Sequence, residues 1–78
     1  MKLPVVSGKE AVKALLKDGF CLRDQKGSHV HLVKETAEKT LHVTVPVHGN
    51  QDLNPFVLRS IARQAGYSPE DFAKLLRK

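Results

Sequence analysis

Tryptophan is absent, and only one tyrosine and three phenylalanines occur among 78 residues. Aliphatic side chains must therefore fill most of any core. There is a single cysteine, Cys21. That excludes an intrachain disulfide and any Cys-x-x-Cys metal or redox motif. With no activating group evident nearby, Cys21 reads as a partly buried structural thiol, not a nucleophile. No apolar run approaches the ~20 residues of a membrane helix. The first residues show no signal-peptide apolar stretch. The expectation is a soluble cytoplasmic protein with no membrane partner. No repeat and no low-complexity tract occurs.

What remains is a short, basic, globular composition. The length fits one domain spanning residues 1–78. Hydrophobic residues make up 41% and charged residues 27%, which argues against disorder. Thirteen Lys and Arg face eight Asp and Glu, for a net charge of +5. Such a balance favours a polyanionic partner, nucleic acid before membrane. The excess is uneven. Residues 1–19 carry four basic and two acidic groups, residues 20–54 four and four, and residues 55–78 five and two.

Ser7 followed by Glu10 is a capping box, and Val12, Leu15 and Leu16 fall on one face after it, with Ala11 beside them. The spacing predicts a helix over 8–18, ended by Gly19. Lys9, Lys13 and Lys17 recur every four residues along another face. Three alternating runs follow: "FCLRD" (20–24), "HVHLV" (29–33) and "LHVTV" (41–45). Period two with β-branched residues predicts strands with one buried face. Phe20, Leu22, Val30, Leu32, Leu41, Val43 and Val45 would point inward. The gap "QKGS" is hairpin-sized, and "KETAEKT" is a longer polar turn.

Pro46 stops the third strand, because it donates no ladder hydrogen bond. Residues 47–54 read as a loop. Asn54 caps a second helix with Pro55 at its first turn, and Gly66 ends it. Ser68-Pro69-Glu70-Asp71 opens a third helix with a cap, a proline and two acids near the positive dipole end. The order α-β-β-β-α-α predicts a two-layer α+β domain, helices covering one sheet face. The other face would carry Cys21, Arg23, His29, His31, Val33, His42 and Thr44.

The chemistry of that face rests on its histidines. No His-x-x-x-His helix and no carboxylate cluster accompanies them, so no metal is assigned and no cofactor is expected. An unperturbed imidazole, with a pKa of about 6.5, takes or gives a proton near neutrality. RNA cleavage needs little more: a base for the ribose 2′-OH, an acid for the leaving 5′-oxygen, and cations near the phosphate. Within "KGSHVHL" (26–32), Gly27 permits close approach of a phosphate, and the Gly27 and Ser28 N–H groups can donate to it. That favours His29 over His31. The plainer reading of the same residues is a hairpin turn followed by an exposed strand histidine.

The segments "SGKEAVKALLKDGF", "KGSHVHL" and "VTVPVHGNQDLNPFVLRSIARQAGYSPEDFAKLL" together resemble the HicA family of toxins from toxin–antitoxin pairs. The resemblance covers nearly the whole chain, in order and at matching spacing. It implies a double-stranded-RNA-binding-domain-like fold, α-β-β-β-α with an extra C-terminal helix. It implies a ribonuclease acting on messenger RNA, with the histidine of the Gly-Ser-His motif, here His29, as catalytic residue. It implies a HicB-type antitoxin that covers that histidine. Lys26, Arg59 and Arg63 are weaker candidates for phosphate contact beside Gly27 and Ser28, and His48 reads as a loop-ordering residue. The chain departs from the family pattern at Gln51 and at Asn54-Pro55-Phe56, which alters the surface at the start of the second helix.

Two other functions fit the same fold: a non-catalytic RNA-binding module, and an interaction protein without activity. Duplex-binding modules use lysines at the start of the final helix. Asn54-Pro55-Phe56-Val57 has none, which disfavours duplex binding.

Overall fold

A computed structural model describes residues 4–49 and 51–77. The elements are α1 (Gly8–Lys17), β1 (Cys21–Lys26), β2 (His29–Glu35), β3 (Thr40–Pro46), α2 (Pro55–Gln64) and α3 (Pro69–Leu76). The expected order is the observed one. The capping box closes in full: the Ser7 hydroxyl accepts from Glu10 N–H, and the Glu10 carboxylate accepts from Ser7 N–H. Asn54 and Ser68 cap α2 and α3 as their sequences require. Gly19 and Gly66 take positive φ just past α1 and α2, where a side chain would be strained.

The three strands form one antiparallel sheet in the order β1-β2-β3, so β2 is central. The β1–β2 connection is only Gly27 and Ser28, because β1 runs on to Lys26, past the end that alternation suggested. Gly27 alone there has positive φ, 56°, the pattern of a type II′ hairpin. The helices lie on one face, with α1 and α2 against β3, and α3 against both α1 and α2. Leu15, Leu32, Val43, Val45, Leu58, Ile61 and Phe72 are sealed between the layers. The shortest dimension, 20 Å, is that of one sheet plus one helix layer. This is the α-β-β-β-α order of a double-stranded-RNA-binding-domain-like fold, with a further C-terminal helix.

Strand β1 departs from the expectation. Phe20 is buried but precedes the strand, and Leu22 is 56% exposed. Leu22 does pair with Leu32 and so shares the helix-covered side, but on an edge strand beyond the helices. The Cys21 thiol, expected to be partly buried, is exposed, because it pairs with Val33 on the uncovered face of the same edge strand. Leu16 on α1 is likewise 45% exposed, at the margin of the apolar face. The remaining difference is a bulge. Register runs Leu22↔Leu32 and then Asp24↔His31, leaving Arg23 as the extra residue. Asp24 is thereby turned onto the uncovered face.

The 47–54 loop is tied down at its end. Leu53 N–H donates to Val6 C=O at 2.8 Å, and Ser7 bridges Asp52. A second tie joins α1, β2 and the α2–α3 turn. The Lys34 ammonium lies 3.2 Å from the Asp18 carboxylate and 5.6 Å above the Phe20 ring centre. The Tyr67 hydroxyl donates to the same Asp18 oxygen.

Candidate active site

The uncovered sheet face is built by registered cross-strand rows. His29 stands between Lys26 on β1 and Pro46 on β3. The next row is Asp24, His31 and Thr44, and beyond it Cys21, Val33 and His42. Facing residues on neighbouring strands have Cβ atoms about 5 Å apart. Lys26 therefore sits beside His29, and His31 follows about 6.6 Å along the strand. The turn delivers Lys26, Gly27, Ser28 and His29 together at one end of the sheet.

His29 is exposed, at the first position of the central strand. A Cβ built on Gly27 would meet nothing within 4 Å, so space opens beside the turn. The turn itself is braced. Gln25 Nε2 donates to Gly27 C=O at 3.2 Å, and Val47 N–H donates to Ser28 C=O at 2.6 Å. The imidazole is thus presented by a fixed hairpin.

His31 is placed differently. Its Nδ1 lies 3.1 Å from Thr44 Oγ1, and its Nε2 lies 3.9 Å from Asp24 Oδ1. Both ring nitrogens face a protein oxygen, which leaves His31 less free than His29 to exchange a proton with a ligand. With Arg23, Lys26 and His42, this row lines a shallow hollow of about 230 Å³. Strict alternation misses this row, because it requires the bulge. The signal in the sequence is two adjacent polar residues, Arg23-Asp24, where alternation asks for an apolar one. Among the described residues, no three His, Cys, Asp or Glu side chains cluster as a metal site.

Arg59 and Arg63 are exposed one turn apart on α2. The helix lies along the β3 edge, where Thr44 N–H donates to Gln64 Oε1 at 3.1 Å. The two arginines are therefore on the far side of β3 from Lys26, not beside His29. His48 is exposed in the loop after β3.

A family model described as the HicA toxin of bacterial toxin–antitoxin pairs matches residues 8–67. The chain belongs to the HicA toxin family. The match spans α1 through most of the α2–α3 turn and includes the whole sheet and the Gly27-Ser28-His29 turn. Comparison with curated proteins finds no match. Membership makes the chain the toxin member of a toxin–antitoxin pair and implies an antitoxin partner.

Proposed function

We propose that this HicA toxin is a metal-independent endoribonuclease acting on messenger RNA, with His29 as its proton-transfer group. The carrying observation is the exposure of His29 on the central strand, beside an open glycine turn and opposite Lys26. The neutral imidazole takes the proton of a ribose 2′-OH. The freed oxygen attacks the adjacent phosphorus, and the bond to the 5′-oxygen breaks. The products are a 2′,3′-cyclic phosphate and a 5′-hydroxyl, the latter protonated by water or by the Lys26 ammonium. Lys26 and the Gly27 and Ser28 N–H groups offset the charge that builds on the phosphate oxygens. Arg59 and Arg63 hold the strand further away through phosphate contacts.

Within this reading the antitoxin is a HicB-type protein that covers His29 and so blocks entry of RNA. Among the described residues no element covers His29, so blocking it takes a cover from outside. The test is expression of the wild type and His29→Ala from an inducible promoter, with growth and RNA integrity followed together. Growth arrest with RNA loss is expected from the wild type alone. Equal arrest by a folded His29→Ala protein would remove His29 from the mechanism. Harmless wild-type protein that still binds RNA would favour the non-catalytic module.

A further inference from the structure

A helix that lies beside the β3 edge carries the most exposed aromatic ring of the described residues. Phe56 is 78% exposed, whereas Phe20 and Phe72 are buried and Tyr67 is largely covered. Burying a ring of this size in a ligand contact is favourable, and leaving it in water has no structural benefit here: α2 is already capped by Asn54 and anchored by Leu58, Ile61 and Ala62. At 100° per residue, Phe56, Arg59, Ser60 and Arg63 fall within one arc of the helix. All four are exposed. An aromatic ring interleaved with two guanidinium groups matches a surface for single-stranded nucleic acid: the ring stacks on a base while the cations take phosphates.

The position of this stripe ties it to the candidate active site. Pro46 is the registered neighbour of His29, and it lines an open depression of about 320 Å³ with His48, Asn54 and Val57. That depression runs from the His29 end of the sheet to the first turn of α2. Round the helix, Val57 and Gln64 face the β3 edge, and Ser60 and Phe56 come next. A strand whose phosphate lies at His29 thus passes over Pro46 and reaches Phe56 without crossing the helix layer.

We infer that Phe56 is a base-stacking residue for single-stranded RNA, holding a nucleobase to one side of the phosphate at His29. The inference rests on the nuclease reading for its direction but not for its readout. The favoured ligand is RNA and not a protein segment, because the ring shares its face with two exposed arginines on a chain of charge +5.

The test uses the lack of tryptophan in the chain. Phe56→Trp combined with His29→Ala gives one indole, at the proposed stacking position, in a protein that does not consume the RNA. The full chain is titrated with a short single-stranded RNA of mixed sequence, and with an abasic strand of equal length. Saturable quenching by the RNA and little by the abasic strand is expected. Phe56→Ala in the same His29→Ala background should bind the RNA about 5- to 100-fold more weakly, with an unchanged circular dichroism spectrum. No quenching, or equal quenching by both strands, overturns the inference. So does a signal that responds only to the antitoxin protein. The two readings fail separately: quenching beside a wild type that cannot cleave removes the nuclease alone, and cleavage without quenching removes the stacking alone.

Discussion

His29 and Lys26 face each other across a turn of two residues, one on the central strand and one on the edge strand. An imidazole and an ammonium are thereby held on one side of the sheet by backbone register. The turn that fixes them depends on Gly27.

Gly27 and Gly8 separate strain from steric overlap. Gly27 has φ 56° with open space around it, so Gly27→Ala should cost about 1–2 kcal/mol through the left-handed conformation alone. At Gly8 a Cβ would lie 2.4 Å from Pro46 O and 3.0 Å from Val47 Cα, both backbone atoms. Gly8→Ala should therefore cost about 3 kcal/mol or more, at the upper end for overpacking. Urea denaturation of the two variants checks the order. A larger loss at Gly27 than at Gly8 would contradict this packing.

Tyr67 should make the fold sensitive to alkali. Burial, then its hydrogen bond to the Asp18 carboxylate, then the charges of Asp18 and Asp71, push its pKa from 10.0 up to about 12. The folded state thus keeps a proton that the unfolded chain loses first. The stabilisation is complete below pH 10 and is lost as pH rises toward 12. Denaturation midpoints should fall across that window in the wild type more than in Tyr67→Phe. Parallel curves for the two proteins would contradict the assignment. Near neutrality Tyr67→Phe should cost about 1–2 kcal/mol through the lost bond to Asp18.

The Cys21 thiol should react in the native protein. It is exposed on an edge strand, so a thiol reagent should modify it without denaturant, at a rate near that of the unfolded chain. Reaction that waits for unfolding would contradict the placement of β1.

The helices were legible because their signals are local. Ser7 with Glu10, Asn54 with Pro55, and Ser68 with Pro69 each fix a helix start through hydrogen bonds within one turn. The central and far strands were legible because Val30, Leu32, Val43 and Val45 all point into one core. Strand β1 was not, since its alternation breaks at Arg23 and no helix covers Leu22. His29 and its turn could be found from the Gly-Ser-His motif and the resemblance that carries it. The Asp24–His31–Thr44 row could not, because a bulge of one residue decides which face Asp24 takes. The separation of Arg59 and Arg63 from Lys26 is tertiary too: it follows from α2 lying outside β3.

The proposed proton transfer by His29 is tested most directly with purified wild type, His29→Ala and His31→Ala acting on one RNA oligonucleotide. Both variants should fold, since each side chain is at least partly exposed. His29→Ala should lose about 10²-fold or more in rate, the usual share of one general acid–base group, while His31→Ala keeps most of the activity. Full cleavage by His29→Ala, or loss with His31→Ala alone, would contradict the account.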